Sequence, residues 1–97
     1  MASDLKIGDI VALRVICLGN PIGTLGVVFH EYELGPRTGV QVIFRNGEYD
    51  GFGEDEQESL LNYVAHNKEL ENYQFTNVMK LSEDFRKGHF KSVFLME

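Results

Sequence analysis

Cys17 is the only cysteine in this 97-residue chain. No intramolecular disulfide and no thiolate zinc cluster can form, nothing argues for an oxidising compartment, and a reducing cytoplasm is the expected setting. Long apolar runs are missing as well. Ile10-Val11-Ala12-Leu13 is broken by Arg14 and preceded by Asp4 and Asp9, which is too short and too charged for a signal peptide or a spanning helix. Positive charge is scarce, with nine Lys and Arg against fifteen Asp and Glu and a formal charge of −6. That balance repels a nucleic-acid backbone on average and favours solubility. The shortage is uneven. No base falls between Arg45 and Lys68, where Glu48, Asp50, Glu54, Asp55, Glu56 and Glu58 lie, whereas Lys80 to Lys91 holds four bases and two acids. Internal repeats and low-complexity segments are absent.

What is present is ordinary for a globular domain: 43% hydrophobic and 25% charged residues. The length predicts a single domain over 1–97, able to bury roughly 60–65% of its unfolded surface. The clearest stretch is Gly39-Val-Gln-Val-Ile-Phe-Arg-Asn-Gly47. Alternation puts Val40, Val42 and Phe44 on one strand face and Gln41, Ile43 and Arg45 on the other. Asn46-Gly47 predicts a type I′ hairpin turn returning through Glu48, Tyr49 and Asp50. Ile10 to Leu18 and Thr24 to Tyr32 read as earlier strands, separated by a loop at Gly19-Asn20-Pro21-Ile22-Gly23 and followed by a reversal at Gly35 to Gly39. One core is expected from Val11, Leu13, Val15, Leu25, Val27, Val40, Val42 and Phe44.

After Gly51-Phe52-Gly53 interrupts the regularity, Asp55 and Glu58 resemble a capping box ahead of Leu60, Leu61 and Val64, which predicts a helix over 55–66. Asn67 to Asn72 reads as a polar linker. Tyr73 to Met79 favours a strand, Ser82 to Phe85 a helical turn ended by Gly88, and Phe90 to Leu95 a last strand. The expected class is mainly β with one helix (α+β), a small barrel of about five strands with that helix inserted.

Gly8-Asp9-x-Val11, Gly23-x-x-Gly26-Val27-Val28 and Gly39-Val40-x-Val42-x-Phe44-x-Asn46-Gly47 together resemble the strand-and-turn rhythm of SH3-like small barrels. The first half also resembles a KOW-type element. The resemblance covers roughly residues 7 to 50, and it implies that Gly26 lets the chain bend sharply between two sheets. The helix near 55–66 departs from the pattern. So does the scarcity of bases around the glycines, so nucleic-acid binding does not carry over from KOW-type modules.

His30, His66 and His89 lie far apart, and none has the i, i+4 partner and glutamate of a helical zinc site, so no metal is expected. Cys17 reads as a packed side chain rather than a nucleophile. The acids from Glu48 to Glu58 lack the spacing of an EF-hand loop, and Gly23-Thr24-Leu25-Gly26 lacks the Lys-Ser/Thr of a phosphate cradle. No cofactor and no catalytic residue is expected.

Two surfaces remain. Tyr32, Tyr49, Asp50, Phe52, Glu54, Asp55, Glu56 and Glu58 would form an acidic, aromatic surface for a protein partner, as aromatics do in SH3-type peptide recognition. The same acids would also suit an inhibitor that imitates nucleic-acid phosphate. Phe85 to Lys91 interleaves aromatics with Arg86, Lys87, His89 and Lys91, a composition that would let a small barrel stack on bases while neutralising phosphates. The expectation is a non-catalytic module that binds a protein, with nucleic acid as the alternative.

Overall fold

A computed structural model describes residues 5–95. Five strands, β1 (Asp9–Leu13), β2 (Leu25–Leu34), β3 (Arg37–Phe44), β4 (Tyr49–Gly53) and β5 (Leu61–His66), form one antiparallel sheet in the order β4-β3-β2-β1-β5. The sheet is not closed: β4 and β5 are its edges. A single helical turn, α1 (Gln57–Leu60), connects them, and two helices follow, α2 (Val78–Arg86) and α3 (Lys91–Phe94). The molecule is thus mainly β with a few short helices.

The first half follows the expected strand order, with one shortened element and one different turn. β1 ends at Leu13, and Val15 is 37% exposed rather than in the core, because the chain turns away into a loop closed by paired Cys17 and Asn20. The β3–β4 turn is not type I′. Gly47 has φ 85°, but Asn46 has no positive φ. Gly47 N–H donates to the Phe44 carbonyl at 2.9 Å, and Phe44 N–H donates to Glu48 at 2.9 Å. These bonds define a three-residue loop in which a type I turn is followed by glycine in the left-handed region. Gly51-Phe52-Gly53 does not break the strand but completes β4.

The second half departs further. The expected helix over 55–66 is only α1, and Leu61 onward forms β5. β1 would otherwise have an unpaired edge, and satisfying those backbone groups outweighs the local helical spacing of Leu60, Leu61 and Val64. Glu56 occupies the cap position without a side-chain cap, and its Oε1 instead accepts from Gly53 N–H at 3.0 Å. Tyr73 to Met79 is not a strand. Residues 73–77 are irregular, with Tyr73 and Phe75 packed on the core, and Asn77 caps α2 by accepting from Lys80 N–H at 2.8 Å. Phe90 to Leu95 is likewise not a strand, since α3 begins at Lys91 and only Phe90 and Val93 of that stretch are fully buried.

The sheet separates two cores. Val11, Leu13, Val28, Val40, Val42, Phe44, Phe52 and Leu61, drawn from all five strands, form the inner cluster. Ile10, Val27, Phe29 and Ile43 project from the opposite face against Leu70, Leu81, Phe90 and Val93. Val27 and Leu25 therefore do not join Phe44, as a single-core reading expected. Gly26 is required by close approach, because a Cβ there would lie 2.5 Å from Val42 Cγ1 and 2.8 Å from Phe44 Cε1.

Two register shifts decide which side chains face the inner side. Val28 pairs with Val42 and His30 with Gln41, so Phe29 is an extra residue in β2. Ile10 pairs with Ala65 and Val11 with Tyr63, so Val64 is an extra residue in β5. Cross-strand partners share a face, and beyond these bulges Glu31 lies opposite Val40 and His66 opposite Asp9.

Phe44 is fully buried at 0% exposure, so Phe44→Ala should cost about 3–5 kcal/mol. Gly47→Val should lower the melting temperature more than Glu48→Val, because only Gly47 needs positive φ. Calorimetric scans of the three variants check both, and equal melting of the two turn variants would count against the left-handed glycine.

A candidate acidic groove

On the inner side, beyond the buried cluster, lie two adjoining depressions. The larger, about 840 Å³, is lined by residues that include Leu5, Lys6, Ile7, Asp9, Glu58, Leu61, Tyr63, His66 and Glu71. The smaller, about 300 Å³, is lined by Tyr32, Glu33, Thr38, Gly39, Val40 and Glu54. Leu5, Glu31 and Gln57 line both. Each volume lies within the range of small-molecule sites.

Each wall has a local cause. The bulge at Phe29 turns Glu31 to the face of Val40, and its Oε2 accepts from Ile7 N–H at 3.3 Å. The bulge at Val64 puts Tyr63 and His66 on one face, although their spacing would otherwise oppose them. Glu54 accepts from the Thr38 hydroxyl at 2.7 Å. α1 is anchored at both ends: Gln57 Nε2 donates to the Phe52 carbonyl at 3.1 Å, and Arg14 donates to the carbonyls of Glu58, at 2.7 Å, and Leu60, at 2.9 Å.

Six carboxylates, Asp9, Glu31, Glu33, Glu54, Glu58 and Glu71, thus converge against Lys6 and His66. His66 bridges two of them, its Nδ1 2.7 Å from Asp9 Oδ1 and its Nε2 2.7 Å from Glu71 Oε1. Only the imidazolium has a donor for each. The hydrogen bond to Glu71, then that to Asp9, raises the His66 pKa above its ordinary 6.5. Asp9 is only 5% exposed and also accepts from Lys6 N–H at 2.8 Å. The bridge ties the turn after β5 to β1 and offsets part of the groove's negative charge. Gln57 is 3% exposed, and its Oε1 has no hydrogen-bond donor among the described residues, a situation that costs about 1–3 kcal/mol for a buried polar atom.

A second polar cluster lies away from the groove. Asp84, 2% exposed, accepts from Tyr73 Oη at 2.7 Å and Lys80 Nζ at 2.6 Å. Burial pushes its carboxyl up, but the bonds from Lys80 and Tyr73 outweigh this and hold it below the carboxylate range. Burial and then Asp84 push the Tyr73 phenol up. This network fastens the irregular segment before α2 to that helix.

Of the sequence-predicted residues, Glu54 and Glu58 line the groove, whereas Tyr32 borders it where it pairs with Gly39, its ring packed over that glycine on the other face of the sheet. Asp55 and Glu56 are exposed beside its α1 end. Phe52 is in the inner core, and Tyr49 packs on the opposite face against Phe29. Asp50 lies 3.9 Å from Cys17 Sγ, and burial, then Asp50, pushes that thiol above its ordinary 9.0. Arg86, Lys87, His89 and Lys91 are exposed, but Phe90 is buried and Phe85 and Phe94 pack on the core. Asp9, Glu31, Gln57, Tyr63, His66 and Glu71 escaped sequence reasoning. Asp9 and His66 are 57 positions apart, and Glu31 and His66 owe their direction to bulges with no sequence signature. Among the described residues, no three or more His, Cys, Asp or Glu are grouped as metal ligands, and no helix is long and apolar enough to cross a membrane.

Fold and groove define a small, mainly β domain with an acidic cleft at the mouth of its inner core. Comparison with protein families, curated proteins and solved structures finds no match.

Because the folded His66 pKa is raised, its bridge contributes stability that is complete below the ordinary value and is lost as pH rises through the folded value. Cys17, Tyr73 and Lys80 are all shifted upward from 9.0, 10.0 and 10.5 and titrate above this window. The parent should therefore lose more thermal stability than His66→Gln between about pH 6 and pH 8.5. Parallel melting curves across that range would exclude the charged bridge.

Proposed function

We propose that the protein is a non-catalytic binding module of the SH3-like small-barrel type whose acidic groove receives a basic segment of a protein partner. The carrying observation is the convergence, among the described residues, of six carboxylates on a cleft whose only cationic side chains are Lys6 and His66. Clefts lined by one sign of charge focus field lines and raise the local concentration of the opposite charge. Leu5, Ile7 and Leu61 give the cleft an apolar component, and Tyr63 lines its larger part. That combination suits the stems and ends of lysine or arginine side chains.

The small-barrel reading is supported by all five strands feeding one inner cluster and by α1 bonding to both β4 and the end of β1. A neutral thiol at Cys17 favours binding over nucleophilic chemistry, and a lone cysteine suits a reducing cytoplasm. The exposed bases near α3 are less suited to nucleic acid, since the aromatics between them are spent on packing.

A capped peptide of alternating glycine and lysine should bind at low ionic strength, while its glutamate counterpart should not. Replacing Glu31, Glu33, Glu54 and Glu58 together by Gln should slow association at least about tenfold with folding intact, since such charges mainly steer encounter. An oligonucleotide gel shift abolished by replacing Arg86, Lys87 and Lys91 would instead favour the nucleic-acid alternative.

A further inference from the structure

We infer that the basic segment enters as an extended strand, adding itself antiparallel to the outer edge of β5 so that its alternate side chains overhang the acidic groove. This rests on the groove being the docking surface for that segment. The sheet has two edges, β4 and β5, and they differ in what becomes of their outward backbone donors. Glu54 N–H donates to Thr38 on β3, so by alternation Gly53 and Gly51 turn away from β3. Side chains occupy both donors: Gly53 N–H bonds to Glu56 Oε1 at 3.0 Å and Gly51 N–H to Asp50 Oδ1 at 2.8 Å. Such an edge offers little to a further strand.

The edge at β5 is open. Leu13 N–H donates to Thr24 on the β2 side, and Arg14 N–H to Leu60 on the β5 side. By the same alternation Ala12 and Ile10 turn to β5, and their partners Asn62 and Ala65 are the bonded ones. Tyr63 and His66 therefore turn their N–H and carbonyl groups outward, where among the described residues neither N–H has a partner. Asn62, Tyr63, Val64 and His66 are exposed, and Leu61–His66 contains no Lys, Asp, Glu or Pro to guard the edge. The Val64 bulge restricts the added strand to a short run. The side chains of Tyr63 and His66 line the larger depression beside Glu58 and Glu71. Cross-strand partners share a face, so a base opposite Tyr63, and at every second position from it, meets those carboxylates. A second copy of this chain fits poorly, because its own Glu58 and Glu71 would be brought against the same acids.

The test compares the capped glycine-lysine peptide with two versions of equal charge, one N-methylated at every glycine amide and one at every lysine amide. In an antiparallel pair the residue opposite Tyr63 donates its N–H to the Tyr63 carbonyl, so with lysine there the lysine amides point at β5 and the glycine amides at solvent. Methylating the lysine amides should weaken binding at least about tenfold, the scale of roughly two lost backbone bonds. Methylating the glycine amides should leave it nearly unchanged. In hydrogen exchange, the Tyr63 and His66 amides should become protected when the unmethylated peptide binds, while those of Gly51 and Gly53 do not change. Equal binding by all three peptides would overturn the added strand and leave the groove standing. Equal loss from both methylations would assign the effect to peptide stiffness and also overturn it, as would protection gained at Gly51 and Gly53 instead. Loss confined to the glycine amides would overturn the antiparallel arrangement. Tyr63 protection that rises with protein concentration in the absence of peptide would give the edge to a second copy and overturn the inference. If no peptide binds, groove and strand fall together.

Discussion

Two surplus residues in the strand ladder control this molecule. Side chains along a strand alternate, so one extra residue reverses the facing of everything beyond it. In β2 the surplus residue is Phe29, and in β5 it is Val64. Before the β2 bulge the apolar side chains divide cleanly, Val28 inward and Val27 outward. After it, Phe29 and His30 both reach Phe75, and Glu31 takes the inward face that an uninterrupted strand would deny it. The second bulge does the same for His66. One device thus lets the sheet be apolar through its centre and acidic at its mouth.

The outward face explains why the chain continues past the sheet. Ile10, Val27, Phe29 and Ile43 would be exposed on a bare five-stranded sheet, and the last third of the chain covers them with Leu70, Leu81, Phe90 and Val93. Much of the cover is short or irregular: α3 has four residues and 73–77 have no regular structure. Side-chain bonds compensate for the missing backbone ladder. Asp84 gathers Tyr73 and Lys80, and the His66 bridge holds Glu71 against Asp9. Such networks favour one arrangement when every member is satisfied, and here they fix the position of a segment that apolar contacts alone would leave loosely specified.

The sequence was most legible where local and tertiary preferences agree. Val40, Val42 and Phe44 alternate, are inward and are buried, and Gly47 has the positive φ that its neighbours suggest. It misled where a backbone edge needed a partner: the spacing of Leu60, Leu61 and Val64 suits a helix, yet β1 required a fifth strand. It was also incomplete where side chains serve the tertiary fold. Tyr73, Phe75 and Phe90 have strand-like composition but are spent on covering the sheet. The acidic run was visible, but only Glu54 and Glu58 of it line the groove, because β4 sends Tyr49 outward and Phe52 into the core. The rest of the groove comes from positions far apart in sequence, which no local pattern unites.

The groove's charge does not serve stability. Carboxylates brought together repel one another, and the surrounding protein lowers the screening that water would provide. A fold under selection for stability alone would neutralise or disperse them, as Asp84 is neutralised by Lys80 in the second cluster. Here Lys6, and His66 when it is protonated, balance only part of six acids. The residual repulsion is a cost of the free protein that a bound cation would remove, so binding of the proposed kind would draw on relief of repulsion as well as on new contacts. Because this term is screened by salt while the apolar wall is not, the charged and apolar parts of the groove would separate in the ionic-strength dependence of binding.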